Sequence, residues 1–102
     1  MKAYRLRYLP LFESDLTETV DYIAKRLQSP QAAANLVDAV EAAIEERLDN
    51  PLGHQPYEST RNRPHPYYPI YVKNFIVFYV VIDDIVEVRR FIYKKRDISK
   101  LL

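Results

Sequence analysis

Hydrophobic and polar positions alternate at the start of the chain. Tyr4, Leu6 and Tyr8 fall on one side of residues 3–9, Arg5 and Arg7 on the other. A period of two predicts a half-buried strand, which Pro10 ends. The period then changes. Phe12, Leu16, Val20, Ile23 and Leu27 recur at helical spacing and form one apolar stripe. Glu13, Asp15, Glu18 and Asp21 lie mainly in its early turns, where the helix dipole favours acids. Ser29-Pro30 is a restart, because serine caps and proline fits the first helical position. Ala33, Leu36, Val37, Val40, Ile44 and Leu48 make the second stripe, and Asn50-Pro51 stops it. So short a link predicts an antiparallel helical hairpin.

Residues 50–67 read as a loop, with Pro51, Pro56, Pro64, Pro66 and the only glycine, Gly53. Three strands are expected next: Tyr68–Val72, Phe75–Ile82 and Val86–Tyr93. Lys73-Asn74 and Asp83-Asp84 are two-residue turns of the kind that close hairpins. Phe75–Ile82 is an unbroken apolar run, which suits the middle of a sheet. The order β-α-α-β-β-β predicts an α+β fold. A helical hairpin packs on one face of a mostly antiparallel, twisted four-stranded sheet.

Length fits one domain over residues 1–102, able to bury ~60–70% of its unfolded surface. There is no repeat or linker. With no cysteine there is neither a disulfide framework nor thiolate chemistry. MKAYRLRYL holds no signal-peptide run, and no segment is long and apolar enough to span a membrane. A soluble cytoplasmic protein is expected.

The net charge of +1 hides an asymmetry. Residues 1–53 carry six basic and nine acidic side chains, residues 54–102 nine and five. Arg89–Lys100 holds six basic residues against one acid, Asp97. A local anion site accounts for this better than a surface that coats nucleic acid generally. A second basic group, Arg61, Arg63 and His65, lies in the loop. The two clusters together predict an anion groove, with Arg89, Lys94 and Lys95 on the sheet side. Tyr93, at the strand exit, is placed to touch a ligand and to exchange a proton. His54 and His65 both lie in the loop without a ligand pattern, so no metal site and no cofactor are expected. One glycine excludes a phosphate-cradling loop. Ser14, Ser29 and Ser59 lack a nucleophile motif.

Asn74-Phe75-Ile76-Val77-Phe78-Tyr79, Asp83-Asp84 and Val88-Arg89-Arg90-Phe91-Ile92-Tyr93-Lys94-Lys95-Arg96-Asp97 carry a further signal. With the helical hairpin upstream, this strand–turn–strand ending resembles the RelE/ParE superfamily of toxins from type II toxin–antitoxin systems, the plasmid-stabilisation proteins. The resemblance implies a cognate antitoxin and a toxin–antitoxin hetero-oligomer. It also implies growth arrest by metal-independent, ribosome-dependent mRNA cleavage, with Arg96 and Tyr93 as the catalytic candidates. The alternatives are a ParE-like DNA gyrase inhibitor without nuclease activity and a non-toxic interaction module. The chain departs from the nuclease pattern at Ile76, where several nucleases carry arginine, and in the uncharged run Tyr68–Val72. Leu102 stands at the RelE-like tyrosine, and Lys94-Lys95 at the His-Tyr ending of YoeB-like proteins.

Overall fold

The hairpin of two apolar strands forms the centre of the sheet. A computed structural model describes residues 3–58 and 63–102. Its strands are β1 (Arg5–Tyr8), β2 (Tyr68–Val72), β3 (Phe75–Ile82) and β4 (Ile85–Tyr93), in the order β1-β4-β3-β2. β2–β3 and β3–β4 are antiparallel, and β1 runs parallel to β4. The turns are the expected pairs: Val72 faces Phe75 and Ile82 faces Ile85. Lys73 and Asp83 adopt left-handed φ values of 54°, which two-residue hairpin turns require.

The helices are α1 (Pro10–Asp21) and α2 (Pro30–Arg47). Ser29 caps α2, its Oγ accepting the Ala32 N–H at 3.3 Å. Between the helices the chain widens into a π turn over Tyr22–Arg26. The Leu27 N–H reaches the Tyr22 carbonyl, and the Ser29 N–H the Ile23 carbonyl. This turn corrects one expectation. Leu27 belongs to the apolar stripe by spacing, yet is 57% exposed, because the extra residue per turn rotates it off the core face.

The sheet has apolar layers on both faces. On the helix face Phe12, Leu36, Val40 and Ile44 pack against Val77, Tyr79, Val88 and Phe91. On the other, Ile76, Phe78 and Ile92 are covered by Tyr57 and Tyr67 of the loop and by Ile98, Leu101 and Leu102. A bulge makes this two-sided packing possible. Phe78 faces Arg90 and Tyr79 faces Val88, so Arg89 has no partner on β3. The extra residue shifts the alternation. Val86 and Val88 point to the helices, and so does Phe91 instead of Arg90.

The loop after α2 is tied to the core. Arg47 Nη1 donates to the Tyr79 hydroxyl at 3.0 Å and to the Pro69 carbonyl at 3.1 Å, and that hydroxyl donates to the Pro51 carbonyl at 2.8 Å. Burial pushes the Tyr79 phenol pKa up, with Arg47 pulling it partly back. Among the described residues no helix is long and apolar enough to cross a membrane.

Candidate functional site

β4 carries most of the expected site, and its body and its exit differ. In the body, Glu87 is 5% exposed. Arg7 of the adjacent β1 donates to Glu87 Oε2 from both Nε and Nη2, and Arg89 Nε donates to Oε1 at 3.0 Å. Burial opposes ionisation of Glu87. The hydrogen bonds and charges of the two arginines outweigh it, and the carboxyl pKa falls below its ordinary range.

Arg89 has a second engagement. Its Nη1 donates to the Tyr67 hydroxyl at 3.2 Å, and its guanidinium lies 5.6 Å from the Tyr67 ring centre. The Arg63 guanidinium sits 4.5 Å from the same ring, and its Nη2 donates to the Leu102 carbonyl at 2.7 Å. The structure therefore brings Arg63 and Arg89 together, as two cations meeting one tyrosine. Both are held by groups of the protein itself. His65 is half-buried in the same loop, and Arg61 lies outside the described residues.

Arg90 leaves the strand on the face away from the helices, and its guanidinium reaches Asp15 of α1. Its Nε and Nη2 donate to Asp15 Oδ2 and Oδ1 at 2.8 and 3.2 Å, and its Nη1 to the Leu101 carbonyl at 2.7 Å. Asp15 Oδ2 also accepts the Phe91 N–H at 3.0 Å. The two side chains are 15% and 14% exposed. This pair ties helix, sheet and carboxy-terminal segment at one point. Sequence reasoning missed it, because Asp15 lies 75 residues away and reads as a helix-start acid.

At the exit the pattern reverses. Lys94, Lys95 and Arg96 are exposed, with no ion pair among the described residues. The Lys94 N–H donates to the Asn74 carbonyl, and the Arg96 N–H to the Tyr93 carbonyl, both at 3.0 Å. Backbone bonds thus fix the turn while the side chains reach into solvent. Tyr93 faces the helices, not the Arg63–Tyr67–Arg89 cluster, and its ring centre is 5.7 Å from that of Phe75. With Phe75, Tyr22, Ile23 and Leu27 it lines an apolar groove of about 600 Å³, and Glu18 lies on the wall. The π turn makes this groove by carrying Tyr22 and Leu27 outward. The adjacent apolar pair Tyr22-Ile23, wider than one stripe, was its only trace in the sequence. Among the described residues no cluster of three His, Cys, Asp or Glu side chains could hold a metal ion.

A family model described as the ParE toxin of the type II toxin–antitoxin system, parDE, matches residues 6–98. No curated protein matches the chain by sequence. Solved structures share its fold. A chromosomal ParDE toxin–antitoxin system from P. aeruginosa aligns with TM-score 0.72 at 13% identity, over 89% of this chain and 96% of that one. The toxin–antitoxin complex DinJ-YafQ of E. coli aligns with TM-score 0.55 at 10% identity, over 89% and 92%. YafQ from E. coli strain BL21(DE3) aligns with TM-score 0.54 at 12% identity, over 89% and 93%.

Proposed function

The chain belongs to the ParE toxin family of type II toxin–antitoxin systems, and we propose that it arrests growth by binding a protein target, DNA gyrase, and not by cutting mRNA. One observation carries this reading. Three of the arginines that could line an RNA-cleaving surface beside Arg96 are spent inside the fold: Arg89 on Glu87 and Tyr67, Arg90 on Asp15, Arg63 on Leu102 and Tyr67. A phosphoryl-transfer site needs guanidinium groups aimed at developing charge and free to meet it.

What stays exposed is Lys94, Lys95 and Arg96 beside an apolar groove. Exposed cations steer an acidic partner, and the groove supplies the apolar area that holds it. The same surface suits the cognate antitoxin, through a segment with an acidic and an apolar side. The complexes formed by structural neighbours support such a partner.

A second reading keeps one observation in its favour. Arg96 is exposed, and the hydrogen bond that its backbone N–H donates to the Tyr93 carbonyl holds the two residues in one turn. They are the catalytic candidates of a metal-independent nuclease. Tyr93 would act there by stacking or hydrogen bonding.

Controlled expression in bacteria separates the readings. The expected outcome is growth arrest with DNA damage signalling, altered plasmid supercoiling and intact mRNA. Early, ribosome-dependent fragmentation of mRNA with normal supercoiling would reverse the order.

A further inference from the structure

We propose that the outer edge of β1, with the small pocket beside Tyr8, is a second docking site. Its occupant is an extended polypeptide segment carrying a lysine or arginine. The site is separate from the groove at Tyr93 and does not depend on how the toxin acts.

The two edges of the sheet are unlike. β2 is closed to strand addition. Val72 and Phe75 flank the two-residue turn, so Tyr68, Ile70 and Val72 bond inward to β3, and Pro69 and Tyr71 point outward. Pro69 has no N–H to offer, and its carbonyl is occupied by Arg47. The Tyr67 carbonyl just before the strand is taken by the Tyr57 N–H.

β1 has no such closure. The Arg5 N–H bonds to the Asp84 carbonyl and the Leu9 N–H to the Val88 carbonyl. By the alternation of a parallel pair, the N–H and C=O groups of Leu6 and Tyr8 face away from β4. Among the described residues no strand lies beyond them. A polypeptide laid along this edge would find donors and acceptors in register.

The pocket sets what that polypeptide must carry. Tyr8 and Phe12 stack with ring centres 5.5 Å apart, and Leu16, Val40 and Ile44 complete the apolar lining, beside Glu13 and Glu41. Its volume is about 200 Å³, below the ~300–1,000 Å³ of small-molecule sites and suited to one long side chain. A lysine or arginine matches both parts. Its stem covers the aromatic and aliphatic lining while its cation meets the carboxylates. The phenol of Tyr8 senses the same field: burial raises its pKa, and Glu41 and Glu45 add to the rise.

A second copy of the chain is a poor occupant. Antiparallel pairing of two β1 strands sets Arg5 and Arg7 against each other on one face, which is destabilising. It also brings Tyr4, Leu6 or Tyr8 to the pocket, and none of these is a cation.

The test uses the full chain and a capped seven-residue peptide of alternating threonine and valine with lysine at its centre. Counterparts carry norleucine or glutamate in place of the lysine. Backbone amide shifts are followed during titration. The lysine peptide is expected to move Leu6, Tyr8 and Glu41 saturably, at millimolar peptide. It should bind about five-fold tighter than the norleucine peptide, roughly the worth of one partly exposed ion pair. Glu13→Gln with Glu41→Gln should erase that difference; both positions are exposed, so the fold is kept. The proposal is overturned if the lysine peptide moves nothing at β1, if all three peptides bind alike, or if the shifts gather at Tyr93–Arg96 instead.

Discussion

The body and the exit of β4 carry the same kinds of residue and do opposite things. Arg89 and Arg90 are half-buried and engaged, each by a carboxylate and a further group of the protein. Lys94, Lys95 and Arg96, a few residues on, are exposed and make no ion pair among the described residues. Positive charge along a sequence therefore does not locate a binding surface. A buried arginine–carboxylate pair gives the fold a defined geometry, whereas a solvated lysine gives a partner something to find.

The sharpest way to break this contrast is to remove Asp15. Asp15→Ala leaves the Arg90 guanidinium nearly buried without its carboxylate and takes the acceptor from the Phe91 N–H. The expected loss is about 3 kcal/mol in denaturant unfolding, the scale of a broken buried pair. A loss under about 1 kcal/mol would mean that the pair is solvated and that the body of β4 resembles its exit.

Glu87 gives a smaller effect with a pH signature. Its folded-state pKa is depressed, so its stabilisation is present in full above the ordinary carboxyl value of 4.5 and is lost as pH falls through the folded-state value. Glu87→Gln should cost about 1–2 kcal/mol at neutral pH, as a lost charge-assisted hydrogen-bond set does. It should also flatten the decline in stability below pH 4.5. Equal acid sensitivity of the two proteins, followed by circular dichroism, would remove Glu87 from the account.

Tyr93 tests the exit through partner binding. Tyr93→Ala removes one wall of the apolar groove, and Tyr93→Phe removes only a hydroxyl. Growth arrest and antitoxin affinity should fall about ten-fold or more for the alanine variant, the scale of a buried aromatic anchor, and change little for phenylalanine. If phenylalanine is as inactive as alanine, the hydroxyl does chemistry and the nuclease reading gains. The smallest effect on the fold is expected from replacing Lys94, Lys95 and Arg96 together by alanine. Stability should move within about 0.5 kcal/mol, while association with an acidic partner slows and loses its salt dependence.

The fold was legible where periodicity carries it. The stripes from Phe12 and Ala33, the apolar run Phe75–Ile82 and both two-residue turns place the helices and the central hairpin; only the start of β4 differs, Ile85 for Val86. The family also followed from the ending of that hairpin. What escaped depended on one extra residue or on distance. The π turn shifts Leu27 outward without any breaker residue to announce it. The bulge was visible in principle, since Val86, Val88 and Phe91 break strict alternation. The partners of Arg89 and Arg90 were not visible: Glu87 reads as a surface acid in a strand, and Asp15 as a helix-start acid. The expected anion groove set Arg61, Arg63 and His65 beside Arg89, Lys94 and Lys95; Arg63 and Arg89 do meet at Tyr67, while the pleat sends Tyr93, the expected ligand contact, to the other face.

The most direct measurement uses the purified chain in two assays run side by side: supercoiling of relaxed plasmid by DNA gyrase, and integrity of mRNA on translating ribosomes. The account predicts dose-dependent loss of supercoiling that the cognate antitoxin reverses and Tyr93→Ala abolishes, with mRNA left whole. Cleavage of ribosome-bound mRNA that is lost in Arg96→Ala, with gyrase unaffected, would contradict it.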